Sequence, residues 1–138
     1  MAGRRLSAEE RQRRLARCRA EYDALKARIA DVGFVCEGSL VERYTSCHNP
    51  NCRCADPQRR HGPYWQLSWK EGGRTVSRLL SMEAAVLYRE WIDNRRHLDA
   101  LLAEMRTLSR QAGEYLAEEA GVSFEGPKRS PRRARSAR

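Results

Sequence analysis

Apolar residues along this chain follow two different periods, and the change between them divides it into three zones. From Ser7 to Val32, Leu15, Cys18, Tyr22, Leu25, Ile29 and Val32 recur at alternating three- and four-residue steps. That is the a/d spacing of a heptad seam and predicts a helix over 7–33. Ser7 and Glu10 have the S-x-x-E spacing of a capping box, and Gly33 is placed to end the helix as its C-terminal cap. A second, longer helix is predicted over 81–120, with Ser81 as N-cap and Glu83 in the first turn. Ala84, Trp91, Leu98, Met105 and Ala112 fall seven apart, and Leu87, Leu101, Leu108 and Tyr115 fill the complementary position. Asn94 is the one polar exception in this seam, and Gly113 weakens the helix near its end.

Between the helices, residues 34–80 alternate as strands do. Gly38 to Thr45 predicts a first strand, followed by an irregular loop from Cys47 to Gly62. Tyr64 to Lys70 and Arg74 to Leu80 predict two more strands, joined at Gly72-Gly73, a good two-residue hairpin turn. Pairing across that turn sets Glu71 opposite Arg74, Lys70 opposite Thr75 and Trp69 opposite Val76. Residues directly opposite share a face. One face then collects Trp65, Leu67, Trp69, Val76 and Leu80, with Arg78 among them. The other collects Gln66, Ser68, Lys70, Thr75 and Ser77, with Tyr64 and Leu79. A one-residue slip would invert this pattern. The expected fold class is α+β: a small three-stranded antiparallel sheet with a Cys/His loop, inserted between two long heptad-patterned helices. The seams could close within one chain or between two.

Composition adds a partner class. The chain has 138 residues, 41% hydrophobic and 33% charged, with a net charge of +9. Only Lys26, Lys70 and Lys128 are lysines, so arginine supplies nearly all of the positive charge. Arginine suits phosphate and guanine edges, and an excess of this size points to a polyanion; a GC-rich genome is the competing explanation for arginine over lysine. Residues 1–6 and the tail 121–138, which ends KRSPRRARSAR, are expected to be disordered. No apolar run approaches the ~18 residues of a membrane span. The N-terminus carries charges where a signal peptide is apolar. A cytoplasmic bacterial protein with reduced cysteines is therefore expected, nucleoid-associated if it binds DNA, with no membrane partner.

The candidate chemistry is concentrated in the loop. Cys47, His48, Cys52, Cys54 and His61 lie within fifteen residues. Zinc takes four nitrogen or sulfur donors in a tetrahedron, and Cys47, Cys52, Cys54 and His61 are the expected ligands. Arg53, Arg59 and Arg60 would offset the thiolate charge. The competing reading is a reduced loop whose cysteines pack as small apolar side chains. Cys36 is an alternative ligand, Cys18 lies on the first seam as a core residue, and His97 sits at the edge of the second. There is no Gly-rich phosphate loop, no carboxylate cluster and no C-x-x-C, so no enzyme activity is expected. Gln, Ser and Thr on the polar sheet face can address base edges, while Arg and Lys address phosphate. Arg43, Arg53, Arg59, Arg60, Gln66, Ser68, Lys70, Arg74, Thr75 and Ser77 are the expected nucleic-acid-binding residues, with DNA preferred over RNA.

The stretch GSLVERYTSCHNPNCRCADPQRRHGPYWQLSWKEGGRTVSRLLS, with the helix after it, resembles an uncharacterised family of short, Cys-rich, basic bacterial proteins. The resemblance covers roughly residues 38–108, and its pattern is G-S-L-x-x-R-Y, then C-x4-C-x-C, then H-G-P-Y-W. It singles out Cys47, Cys52, Cys54, His61, Gly62, Pro63 and Tyr64 and implies a setting in transposons and other mobile elements. A weaker similarity is to the three-stranded arm-binding modules of tyrosine-type integrases, which read DNA with a sheet. The expected function is thus a DNA-binding accessory protein of a mobile element, with zinc bracing the sheet. The rival is an adaptor that docks a partner protein, or a second copy, through its heptad helices. A thiol redox or metal sensor is a third reading.

Overall fold

The computed structural model describes residues 5–121. Its elements are α1 (Ala8–Ala30), β1 (Ser39–Thr45), two short 3₁₀ turns (Arg53–Ala55 and Pro57–Arg59), β2 (His61–Glu71), β3 (Arg74–Leu80) and α2 (Met82–Glu119). The strands form one antiparallel sheet in the order β1-β2-β3. The class is α+β, with the sheet and its Cys/His loop between two long helices in the chain, as the change of period predicts. The expectations of disorder cover residues 1–6 and 121–138, of which 1–4 and 122–138 lie outside the described ones. Lys26–Ala103 forms one compact unit, and the chain ends, up to Leu25 and from Glu104, form another.

In the unit made of the chain ends, the capping box closes α1 as its spacing predicts. The Ser7 hydroxyl accepts from the Glu10 N–H at 3.1 Å, and the Glu10 carboxylate accepts from the Ser7 N–H at 2.9 Å. Two orphan donors of the first turn are thereby satisfied. The seam residues Leu15 and Cys18 are buried. Arg11 pairs with Glu118 at 3.7 Å, and Cys18 Sγ lies 4.0 Å from Gln111 Oε1. These pairs run in opposite directions along the two helices, so α1 meets α2 antiparallel within one chain. α2 passes through Gly113 without interruption.

In the central unit, α1 ends through tightened bonds from Asp31 N–H to the Arg28 carbonyl and from Val32 N–H to that of Ile29. Gly33 is not a left-handed cap, contrary to expectation. It is small for a different reason: a Cβ there would stand 3.0 Å from Asn94 Nδ2. That amide donates to the Phe34 carbonyl at 2.9 Å, which accounts for the polar exception in the second seam. One turn earlier, the Trp91 carbonyl accepts from the Cys36 N–H at 3.1 Å.

The hairpin register is the one the Gly72-Gly73 turn dictates, from Glu71 opposite Arg74 to Trp65 opposite Leu80. Both turn glycines have positive φ, the conformation a two-residue hairpin turn requires. Leu67 is buried on the tryptophan face, and the Arg89 guanidinium of α2 sits 4.7 Å from the Trp65 ring centroid. The first half of α2 therefore faces the sheet. Its buried residues are Ala85 and Ile92, while Leu87, expected in the seam, is 50% exposed. A sheet partner selects a different stripe from the one a helix partner would, and the seam expected over this half of α2 is corrected accordingly. Ser81 caps α2, its hydroxyl accepting from the Ala84 N–H at 3.2 Å.

Two glycines separate close approach from mere flexibility. Gly38 has φ +105°, and a Cβ there would collide with the Ser68 carbonyl oxygen, whereas nothing lies within 4 Å of a Cβ at helical Gly113. Gly38→Ala should destabilise the protein by more than about 1 kcal/mol. Gly113→Ala should stabilise it by about 0.5–1 kcal/mol. Urea denaturation followed by circular dichroism measures both.

Candidate metal centre and sheet face

The segment Ser46 to Arg60 leaves the end of β1 and returns to the start of β2. Its local order comes from short polar bonds. Asn49 Oδ1 accepts from the Asn51 N–H at 3.0 Å, and the Asn49 carbonyl accepts from the Cys52 N–H at 3.0 Å. Asp56 Oδ1 accepts from the Gln58 N–H at 2.9 Å, which starts the second 3₁₀ turn with Pro57 at its first position. Together these turns carry Cys47, Cys52 and Cys54 to one point. The fourth member, His61, is the first residue of β2 and not part of the loop. The strand thus begins three residues before the expected Tyr64, and the ladder fixes the position of the imidazole.

The donor atoms of Cys47, Cys52, Cys54 and His61 all lie within 4.8 Å of one another. Cys47 Sγ is 3.3 Å from Cys54 Sγ, and Cys52 Sγ is 3.2 Å from His61 Nε2. A tetrahedral ion bound at ~2.0–2.3 Å needs ligand atoms about 3.5–3.8 Å apart, a separation these values bracket. The four residues form a cluster that could hold a metal ion. The set matches the expected ligands, and Cys18, Cys36, His48 and His97 lie outside it. Cys18 is buried on the α1 seam, and the Cys36 thiol is directed to the Glu37 carbonyl at 3.2 Å.

The chain around the cluster prepares one sulfur for ionisation. The Cys47 N–H donates to Cys54 Sγ at 3.4 Å, and the Ser46 hydroxyl is 3.7 Å from the same sulfur. The backbone bond from Cys47 is the strongest influence and, helped by the Cys47 and Ser46 side chains, outweighs burial. The Cys54 thiol is drawn down to about 6. The thiol of Cys47 moves the other way: a backbone bond from Asn49 lowers it, but the neighbouring thiols Cys54 and Cys52 outweigh that and raise it. Cys54 is thus the thiol most easily ionised, while Cys47 would have to release its proton to solvent before it could bind a metal.

The second candidate site is the face of the sheet opposite the tryptophans. The register puts Ser39, Val41 and Arg43 of β1 beside Ser68, Gln66 and Tyr64 of β2, and these beside Ser77 and Leu79 of β3. Lys70 and Thr75 complete the face, joined by a 2.7 Å bond from Nζ to Oγ1. The Arg43 guanidinium donates to Gln66 Oε1 at 2.7 Å, and the hydroxyls of Ser68 and Ser77 are 2.9 Å apart. Of the expected nucleic-acid-binding residues, Arg43, Gln66, Ser68, Lys70, Thr75 and Ser77 share this face. Arg74 is opposite Glu71 and belongs to the tryptophan face, while Arg53, Arg59 and Arg60 are exposed on the loop. Sequence reasoning did not single out Ser39 and Val41. The signal was the β1 alternation, which assigns faces only once β1 is paired with β2.

These features define a small α+β domain with a three-thiol, one-imidazole cluster at the root of a three-stranded sheet. The chain belongs to the family described as Domain of unknown function (DUF6788), whose model matches residues 7–90, more than half of the chain. The match takes in α1, which lies outside the stretch 38–108 marked by the resemblance, and stops within α2. No curated protein and no solved structure matches the chain. Among the described residues, no helix is long and apolar enough to cross a membrane.

Purified protein should carry one metal ion per chain by mass spectrometry. Cys47→Ser, Cys52→Ser, Cys54→Ser and His61→Ala should each lose it, whereas Cys18→Ser and Cys36→Ser should keep it. Protons compete with the metal for Cys54 once the pH falls through about 6. Metal affinity in chelator competition should therefore drop steeply between pH 7 and pH 5.

Proposed function

We propose that this protein is a DNA-binding accessory factor without chemistry of its own, in which a zinc ion on Cys47, Cys52, Cys54 and His61 braces a sheet that contacts duplex DNA. The observation that carries this reading is the sheet face on which Ser39, Arg43, Gln66, Ser68, Lys70, Thr75 and Ser77 come together. It offers short hydroxyl and amide groups for base edges, and cationic groups for phosphate. The charge of +9 supports a polyanion as the partner. Zinc is supported by the donor set: three soft sulfurs and one imidazole favour zinc over magnesium or calcium. Four protein ligands leave no open position, which is the pattern of a structural site. A mobile element is the setting implied by the resemblance of the G-S-L-x-x-R-Y and cysteine blocks.

An adaptor remains a second reading, favoured by a specific observation. Phe34 is 79% exposed beside Trp91, their ring centroids 5.7 Å apart, and Leu87 is half exposed one turn before Trp91. The heptad leucine Leu101 is only 1% exposed and belongs to the core, so docking would use the Phe34 patch.

The test is a gel-shift titration on duplex DNA over a range of salt. Affinity should fall steeply as salt rises, and Arg43→Ala and Lys70→Ala should each flatten the log–log slope by about one. Gln66→Ala should mainly reduce discrimination between sequences. No binding at low salt would leave the adaptor, for which Phe34→Ser should abolish partner capture.

A further inference from the structure

The polar sheet face is not uniformly polar. Val41, Gln66 and Leu79 are direct partners across the three strands and form one transverse row. Val41 is 50% exposed and Leu79 66% exposed. Single exposed apolar side chains need no explanation. Two that flank a glutamine in the same row, on a face otherwise made of Ser, Thr, Arg and Lys with Tyr64 beside Arg43, form a pattern with a chemical counterpart.

In the major groove an A·T pair presents an acceptor and a donor on adenine, and an acceptor and a methyl group on thymine. Glutamine matches the adenine edge, and an aliphatic side chain matches the methyl. Strands lie ~4.8 Å apart, so the row spans about 10 Å, within the ~12 Å width of the groove. Arg43 lies in the next row on one side, and Lys70 lies beyond the Ser39–Ser68–Ser77 row on the other, so each end of the face carries one cation able to meet phosphate. Arg43 also holds the Gln66 amide in place through its bond to Oε1.

We infer that Val41 and Leu79 read thymine methyl groups from the major groove of duplex DNA, with Gln66 between them addressing adenine; this rests on the DNA-binding reading above. The placement of aromatic rings favours a duplex over a single strand. Single-strand binders stack bases on exposed aromatics. Here Trp65 and Trp69 are on the opposite face, Trp65 beneath Arg89 and Trp69 beside Arg78, and Tyr64 alone is aromatic on the outward face. A duplex RNA partner is disfavoured by its deep, narrow major groove, which side chains do not read.

The test removes only the methyl group. Alternating dA–dT and dA–dU duplexes present the same hydrogen-bonding groups and differ at carbon 5 of the pyrimidine. Burying one methyl corresponds to about fourfold in affinity. The intact, metal-loaded protein should bind dA–dT at least about fourfold more tightly than dA–dU. Methylating carbon 5 of cytosine in a dG–dC duplex should likewise raise its affinity. The double variant Val41→Ser/Leu79→Ser should bind dA–dT and dA–dU equally. Should that variant fail to fold by circular dichroism, the wild-type comparison of the methylated and unmethylated pairs decides alone. Equal wild-type affinity within each pair would overturn the inference and leave duplex binding standing. Binding to single strands only, or to no nucleic acid at low salt, would overturn both.

Discussion

The loop between Ser46 and Arg60 has to be held in place without a hydrophobic core. It contains no Val, Leu, Ile, Met, Phe, Tyr or Trp. A connection of this length between neighbouring strands would ordinarily be loose, because ordering each residue costs about 1–2 kcal/mol of backbone entropy. Asx bonds and two 3₁₀ turns shape it locally, but what joins its parts is the meeting of Cys47, Cys52 and Cys54 with His61. Cys47 follows shortly after the last residue of β1 and His61 is the first of β2. The cluster thus clamps the β1–β2 pair at the point where its ladder slips, between Arg43 and Thr45. The Cys/His cluster and the sheet face are therefore linked, since the cluster sits at the end of the strand pair on which the face is displayed.

The face itself follows from parity. Side chains alternate along a strand, so one residue of slip would send the tryptophans outward and the serines inward. Three constraints prevent it: the Gly72-Gly73 turn, the clamp beneath His61, and the close approach of Gly38 to the Ser68 carbonyl. Opposite the outward face, Arg89 from α2 covers Trp65, which ties the orientation of the sheet to the helix that follows it.

Much of this was legible in the residues. The α1 seam, both N-caps, the hairpin register and the four clustered ligands rest on short-range rules that need no knowledge of the whole fold. What escaped depends on distant partners. Gly33 reads as a helix cap because glycine usually is one at that position; its real neighbour, Asn94, lies 61 residues further along the chain. A period-seven seam in α2 implies a helix partner throughout, yet its first half meets Trp65 of the sheet through Arg89 and the Phe34–Cys36 segment through Trp91 and Asn94, and Ala85 and Ile92 are the residues buried there. His61 reads as a loop residue because Gly62 and Pro63 follow it, whereas its pairing with Thr45 makes it a strand residue.

The division into two units also separates contacts local to one stretch from contacts that span the chain. The unit that holds the sheet and the Cys/His cluster is one uninterrupted stretch, Lys26–Ala103. The other unit is built from the two ends of the chain, and its contacts, such as Cys18 with Gln111, join residues 93 positions apart. The first half of α1 depends on the last turns of α2, while the stretch between them carries the sheet and the whole Cys/His cluster. Closing a small loop costs less chain entropy than closing a large one, and domains acquire structure in the order their partners appear. The cluster thus draws on one contiguous stretch alone, whereas the helix pair requires segments from either side of it.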